Sequence, residues 1–142
     1  PWASQTRQER LDYLKSTLKS FAGGKGLLTG IWYQGELAGA IDVMHIDYRI
    51  RKMEFGYWLG EQFQGKGLIT RGCAALIDHA FATLDLNRIE ISARAENARS
   101  RAVAERLGFT LEGTFRQTRR VGDRYGDGVL YSLLKEEWER AR

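Results

Sequence analysis

The sequence has few of the features that mark secreted or membrane proteins. Its one cysteine, Cys73, excludes a disulfide within the chain and is typical of a reducing compartment. No apolar run approaches the roughly 20 residues that a membrane-spanning helix needs. No signal peptide is visible, although the sequence opens at Pro1 rather than at a methionine. We therefore expect a cytoplasmic protein without a membrane partner.

The sequence also lacks internal repeats, low-complexity segments and a recognisable linker. With 142 residues, 43% hydrophobic and 28% charged, it is predicted to form one globular domain, residues 1–142. The net charge of +4 suits a polyanionic ligand without requiring nucleic acid as a partner. Arginines gather in the second half, where solvated charge is the ordinary explanation for most of them: Arg94, Arg99, Arg101, Arg106, Arg116, Arg119, Arg120 and Arg124.

What the sequence does have is a glycine-bearing loop, residues 62–67, between a predicted strand and a predicted helix. A helix N-terminus presents free N–H groups and the positive end of its dipole, so this position suits an anion. Gly65 and Gly67 let the backbone approach a phosphate, and Lys66 adds a positive charge. The loop alone also fits a plain strand-to-helix connection in which the glycines serve only the turn.

Two nucleotide-binding motifs are excluded at this loop. Residues 60–66 read G-x-x-x-x-G-K, but Gly67 stands where a P-loop needs a Ser or Thr hydroxyl for Mg²⁺. A dinucleotide fingerprint would need a glycine at position 70, which is Thr70. The loop therefore carries neither motif, and both a phosphate-bearing cofactor of another kind and a plain turn stay open.

Hydrophobic periodicity predicts a mixed α/β fold. Leu11, Leu14, Leu18 and Phe21 give the first helix an apolar face, and Cys73 lies on the apolar face of the central helix, where it is interpreted as core. A long helical crossover between the third and fourth strands favours parallel pairing of those two. The predicted elements are a helix over 5–21, strands over 27–33, 37–46 and 53–59, a helix over 68–84, a strand over 89–95, a helix over 98–107, and strands over 109–117 and 129–134 separated by a polar loop.

These motifs together resemble the GNAT acetyltransferases. Gln62-x-x-Gly65-x-Gly67 is similar to the acyl-CoA loop of that family, and the stretch from Asn97-x-x-Ser100 to Leu107-Gly108-Phe109 is similar to its next motif. The strand sequence over 54–59 and the Leu-Glu-Gly at 111–113 resemble the RimJ/RimL branch of ribosomal-protein N-acetyltransferases. The resemblance covers most of residues 53–134.

The resemblance implies a mostly antiparallel sheet, flanked by helices, whose central strands splay apart. It also implies acetyl-CoA as cosubstrate, no metal, and backbone N–H groups of the loop, from Gln64 to Ile69, on the pyrophosphate. A strand N–H would polarise the thioester carbonyl. The implied CoA-binding residues are Tyr57, Trp58, Leu59, Gln62, Gln64, Gly65, Lys66, Gly67, Leu68, Ile69, Asn97 and Ser100.

The implied catalytic residues are Ser100 and Glu54. Ala104 stands where many relatives have the tyrosine that protonates the leaving thiolate; Ser100, one turn earlier, would take that role or simply contact CoA. Glu54 is the implied base, or else a structural carboxylate. His45 is an alternative base. Two aspartates of the last loop, Asp123 and Asp127, are alternative contacts for a cationic substrate.

The acceptor implied by the branch is a protein N-terminal α-amine, for instance of a ribosomal protein. Neutralising a lysine amine at pH 7 costs about 4 to 5 kcal/mol, against about 1 kcal/mol for an α-amine, so a site without a strong base suits the α-amine. An aminoglycoside, polyamine or amino-acid acceptor, and a non-catalytic acyl-CoA-binding module, stay open. Relatives carry a further strand and helix before the region resembling residues 1–21, so we expect an N-terminally incomplete domain, and a homodimer is an expected assembly.

Overall fold

The computed structural model describes residues 5–142 and has a mixed α/β architecture. Four α-helices and six strands follow one another in the order that the sequence predicts, with one additional helix at the end. The elements are α1 (Arg7–Ala22), β1 (Leu27–Tyr33), β2 (Glu36–Asp47), β3 (Lys52–Leu59), a 3₁₀ turn (Glu61–Phe63), α2 (Leu68–Ala82), β4 (Arg88–Arg94), α3 (Ala98–Arg106), β5 (Thr110–Val121), β6 (Arg124–Leu134) and α4 (Lys135–Arg140).

The six strands form one sheet in the order β1-β2-β3-β4-β6-β5. Only β3 and β4 are parallel, as the helical crossover through α2 predicts, and every other neighbouring pair is antiparallel. The β3–β4 ladder pairs three residues, from Lys52 opposite Arg88 to Glu54 opposite Glu90. Beyond Glu54 the two strands diverge, so the middle of the sheet opens into a wedge.

One face of the sheet packs against α2 and α3 to form the core. Ile69, Cys73 and Ile77 of α2 are buried against Phe55 of β3, which meets Phe109 edge to face with ring centroids 6.3 Å apart. Cys73 is fully buried, and burial raises the pKa of its thiol to about 12. The interpretation of Cys73 as a core residue is therefore confirmed.

Helix α1 forms as predicted, but its apolar face is not packed against the rest of the described chain. Thr6 caps the helix in a capping box with Glu9. The helix turns Tyr13 toward the sheet, where the phenol donates a hydrogen bond to Asp42 of β2. The predicted apolar residues are left 40–68% exposed: Leu11, Leu14, Leu18 and Phe21. Periodicity identified that face correctly but could not identify its partner.

The last two strands differ most from the prediction. The prediction of a polar loop between residues 117 and 129 is wrong. Strands β5 and β6 continue through this region and meet at a two-residue turn, with Val121 opposite Arg124. Gly122 adopts φ 59° in that turn. The short helix α4 was also not predicted. Within residues 5–142, none of the helices combines the length and the apolar character needed to cross a membrane.

Candidate active site

The glycine loop brings the chain from β3 into α2 and leaves the first amides of the helix uncapped. Gly65 and Gly67 adopt φ 74° and 69°, the left-handed region that glycine enters without strain. Gly67 is the N-cap and offers no side chain, and the first amide that bonds within the helix is that of Arg71, which donates to the Gly67 carbonyl at 3.0 Å. The N–H groups of residues 68–70 are thus directed outward at the positive end of the α2 dipole.

Strand β3 presents alternate backbone N–H groups to the wedge. The Gly60 amide donates to the Ala38 carbonyl of β2 at 2.8 Å, so even-numbered residues of β3 pair with β2 in this antiparallel ladder. The N–H groups of Tyr57 and Leu59 therefore point the other way, toward β4. Because the β3–β4 ladder ends at Glu54, β4 does not reach these two amides.

The wedge and the loop open into one cleft of about 800 Å³. Its walls come from three sources: the end of β3, the loop with the start of α2, and one face of α3. The lining residues are Tyr57, Trp58, Leu59, Gln64, Gly65, Gly67, Leu68, Ile69, Thr70, Asn97, Arg99, Ser100, Ala102, Val103 and Arg106. A cleft of this size accommodates a large extended ligand between uncapped amides at one end and free strand amides at the other.

Ten of the twelve residues expected to bind the cosubstrate line this cleft, and two do not. Gln62 lies on the exposed side of the 3₁₀ turn. The ammonium of Lys66 lies 5.9 Å from the ring centroid of Tyr33, on the β1 side of the loop. Gln64 lines the cleft through its side chain, while its N–H donates to the Glu61 carbonyl at 3.2 Å.

Asn97 and Ser100 sit at the start of α3. The Asn97 side-chain oxygen accepts a hydrogen bond from the Ser100 N–H at 3.2 Å, an N-cap that leaves the amide NH₂ of Asn97 available as a donor. The Ser100 hydroxyl donates to the Tyr57 phenol at 3.2 Å, and the phenol donates to the Ser100 carbonyl at 2.9 Å. Burial raises the pKa of Tyr57 to about 12, so its proton is retained throughout the neutral range.

Two arginines of the cleft were not singled out from the sequence. Arg99 donates to the Gln64 side-chain carbonyl at 2.8 Å, joining α3 to the loop, and Arg106 lines the same wall two turns later. Together with Ala102 and Val103 they stand at i, i+3, i+4 and i+7, which is one face of a helix. That spacing could have been recognised in the sequence, and it puts both arginines on the α3 wall of the cleft.

The residues considered as bases or cation contacts do not line the cleft. Glu54 and His45 are opposite each other across β2 and β3, and neither side chain forms a hydrogen bond or an ion pair within the described chain. Asp127 accepts the Gln117 N–H at 2.9 Å and Asp123 pairs with Arg120 at 3.4 Å, so both aspartates serve the β5–β6 hairpin. Ala104 is fully buried.

Comparison with known proteins decides the family. The sequence profile described as "Acetyltransferase (GNAT) domain" matches residues 1–110. The chain belongs to this GNAT family. The cleft combines outward amides, a free strand edge and guanidinium groups, a combination that suits a long anionic ligand.

Similar proteins agree with the assignment and with the expected branch. YdaF of Bacillus subtilis (strain 168), described as a putative ribosomal N-acetyltransferase, is 46% identical over 121 residues, which are 85% of this chain and 66% of YdaF. The ribosomal-protein-serine acetyltransferase of Escherichia coli (strain K12) is 39% identical over 104 residues, 73% of this chain and 58% of that protein. The chain thus spans less than two thirds of the length of either relative.

Solved structures confirm the GNAT fold. The RimL ribosomal L7/L12 α-N-protein acetyltransferase in complex with coenzyme A superposes with a TM-score of 0.87 and 30% identity, covering 94% of this chain and 76% of that one. The mostly antiparallel six-stranded sheet flanked by helices is therefore the architecture that the resemblance implied.

Proposed function

We propose that this protein transfers the acetyl group of acetyl-CoA directly to a primary amine, most favourably a protein N-terminal α-amine. The observation that carries the proposal is the cleft itself, in which the β3 edge diverges from β4 beside the uncapped start of α2. Acetyl-CoA supplies the activated acetyl thioester. The chain supplies binding, orientation, polarisation and proton transfer.

The loop and α3 hold the cosubstrate's phosphates. The N–H groups of residues 65–70 and the α2 dipole bind the pyrophosphate, and the guanidinium groups of Arg99 and Arg106 stand on the opposite wall. The Leu59 N–H and the free NH₂ of Asn97 donate to the amides of the pantetheine arm along the β3 edge. These contacts orient the thioester toward Tyr57.

The Tyr57 N–H polarises the thioester carbonyl. It points from β3 into the wedge, where β4 offers it no carbonyl partner, so a donor is already directed at the position where negative charge develops. A preorganised backbone donor of this kind contributes roughly 2.7 to 4 kcal/mol to lowering a barrier.

Ser100 donates the proton to the leaving thiolate. Its hydroxyl lines the cleft one turn before Ala104, and the Tyr57 phenol lies 3.2 Å behind it. Tyr57 orients this hydroxyl and remains protonated because burial raises the pKa of the phenol. A serine held by a phenol thus occupies the place of the missing tyrosine.

Glu54 receives the proton of the attacking amine through water. Its side chain projects from the opposite face of β3 to Phe55 and Tyr57, half-buried and without an ion-pair partner among residues 5–142. Deprotonating an α-amine at pH 7 costs only about 1 kcal/mol, so one carboxylate on a solvated face suffices as the base. The names of the relatives, which include ribosomal-protein acetyltransferases, support the same class of acceptor.

The test is a CoA-release assay with acetyl-CoA against N-terminal peptides and small amines such as spermidine, with CoA binding measured in parallel by calorimetry. We expect turnover of peptides, lost about 100-fold in Ser100→Ala with unchanged CoA affinity. Binding without turnover on any amine would identify a non-catalytic acyl-CoA-binding module. Turnover of spermidine alone would replace the peptide acceptor, and failure to bind CoA would refute the cleft's assignment.

A further inference from the structure

The β5–β6 hairpin carries four arginines against three carboxylates, of which Glu112 pairs with Arg88 of β4, and contacts within the hairpin engage only one of the four arginines. Arg120 donates to the Gly122 carbonyl at 2.8 Å and pairs with Asp123 at 3.4 Å. In residues 5–142 no carboxylate or carbonyl engages the remaining three, which are Arg116, Arg119 and Arg124. Asp127 does not offset them, because it accepts the Gln117 N–H that closes the bulge of β5.

Alternation along β6 determines which face two of these arginines occupy. Val129, Tyr131 and Leu133 are buried in the core, so Arg124, Gly126 and Gly128 point to the opposite face. Arg119 is paired with Gly126 and shares that face, with its Nε 3.6 Å from where a Cβ on Gly128 would stand. Arg119 and Arg124 therefore share the face opposite the core, on which Thr118 and Arg119 cover Gly128 while Gly126 is open.

That face is also the face of Glu54. On β3 the residues alternating with the buried Met53 and Phe55 are Glu54 and Gly56, and Glu54 is in register with Glu90 of β4, which pairs with Ser132 of β6. Glu54 and the unpaired arginines thus lie on one continuous surface, which an acceptor would contact. Arg119 is half-buried on this surface, and a guanidinium in such a place binds a carboxylate strongly because it is already partly desolvated.

Two offsets give the distance between Glu54 and the unpaired arginines. Across the sheet, β3 to β5 spans three strand spacings of about 4.8 Å, or roughly 14 Å. Along β6, Gly126, the partner of Arg119, lies six residues from Ser132, which is in line with Glu54 through Glu90, and this adds roughly 20 Å. The separation is therefore roughly 24 Å, which an extended peptide covers in about seven to eight residues. A chain whose α-amine reaches Glu54 would pass Arg119 and Arg124 with about its seventh to ninth residues.

Building on the proposed acetyl transfer, we propose that the β5–β6 hairpin selects acceptors with acidic residues at about positions seven to nine. Arg119 binds the carboxylate nearest the amine, and Arg124 and Arg116 add charge along the hairpin. Gly126 leaves open space on β6 for the peptide backbone, since a Cβ built on it would meet no atom of the described residues within 4 Å. The acceptor class is thus an acidic N-terminal segment rather than a neutral or basic one.

The test uses peptides of about eleven residues that are identical except at about positions seven to nine, where they carry Glu, Gln or Lys. Two readouts are measured: kcat/KM for CoA release, and the Kd of the labelled peptide for the CoA-loaded protein by fluorescence anisotropy. We expect the Glu peptide to be favoured about tenfold over the Gln peptide in both, with the difference in KM rather than kcat.

Variants then assign the preference to the hairpin. Arg119→Gln should abolish the tenfold preference, and Arg119→Glu should transfer it to the Lys peptide. Arg120→Gln is the matched control, since it removes the same charge from the same hairpin at a side chain that is already paired, and it should leave the preference intact.

The outcomes separate this inference from the proposed function. A Glu preference in binding without any turnover would support the hairpin's role and refute acetyl transfer. Equal kcat/KM and equal Kd for all three peptides would overturn the acidic-acceptor inference while leaving acetyl transfer intact. A single-stranded RNA oligonucleotide that displaces the Glu peptide and depends on Arg119 more strongly would also overturn it, in favour of a nucleic-acid surface.

Discussion

Replacing Gly65 by aspartate tests the anion site at its most exposed point. Gly65 has φ 74°, and a Cβ built on it meets no atom of the described residues within 4 Å, so a side chain fits without disturbing the packing. Gly65→Ala and Gly65→Asp both place a non-glycine residue in the left-handed region, at a cost of about 1 to 2 kcal/mol in folding stability. Only the aspartate adds a negative charge facing the cleft.

The charge effect can be sized from Coulomb's law. A carboxylate about 6 Å from a pyrophosphate carrying about two charges, at an effective dielectric constant of about 40 for this exposed loop, is repelled by about 3 kcal/mol. That is roughly a hundredfold loss of CoA affinity relative to Gly65→Ala. The loss should shrink as salt is raised from about 0.05 to 0.5 M, because the repulsion is screened.

The assay is calorimetric titration of CoA, with thermal unfolding of each variant to confirm folding. Gly35→Asp is the matched control: Gly35 has φ 83° in the β1–β2 turn, is equally open, and does not line the cleft. It should lose stability to a similar degree and keep its CoA affinity. Equal affinities for Gly65→Asp and Gly65→Ala would refute the assignment of the pyrophosphate to this loop.

Three further predictions concern titrating groups. Glu54→Gln should lower kcat about 100-fold at pH 7, and the loss should diminish in a pH–rate profile as the amine deprotonates unaided. Tyr57→Phe should lower kcat about tenfold with an unchanged KM for acetyl-CoA, and a changed KM alone would contradict its role behind Ser100. Hydrogen bonds from Arg88 and then Ser132 lower the pKa of Glu112 from 4.5 to about 2, so this carboxylate stabilises the fold above pH 4.5 and progressively less toward pH 2. Glu112→Gln should therefore cost about 1 kcal/mol in urea unfolding at pH 7, after allowance for its solvent exposure, and less than half of that at pH 3.

Periodicity identified most of the fold because most elements have one buried face. The strand over 27–33 and the start of α2 at Leu68 agree with the structure to the residue. The prediction failed at the β5–β6 hairpin because Gly126 and Gly128 suggested a loop, whereas both are strand residues paired with β5. Helix α4 has six residues and no buried side chain, so it offered no periodic signal.

The site was predictable where a backbone motif defines it and not where distant side chains meet. Gly65, Gly67 and Asn97 have sequence spacings that follow from loop and cap geometry. The contact of Tyr57 with Ser100 joins residues 43 positions apart, and no local pattern encodes it. The exposure of the apolar face of α1 is likewise a tertiary property, since a helical stripe indicates a buried face but not its partner.

The direction of the Ser100–Tyr57 hydrogen bond constrains how the proton reaches the sulfur. The serine proton points to the phenol oxygen, and the phenol proton points to the Ser100 carbonyl, so in this arrangement neither is offered to the cleft. When the Ser100 hydroxyl rotates to point its proton at the sulfur, a lone pair of the serine oxygen faces Tyr57. The phenol can then turn its own proton to the serine oxygen and donate a hydrogen bond to it. Tyr57 can do so because, with a pKa near 12, it is protonated whenever the amine is reactive. The pair therefore offsets the absence of the usual tyrosine by dividing its role between two residues. Serine provides the reach and the proton, and the buried phenol, which keeps its own proton, holds the serine oxygen by a hydrogen bond, so loss of Tyr57 should lower kcat and not acetyl-CoA binding.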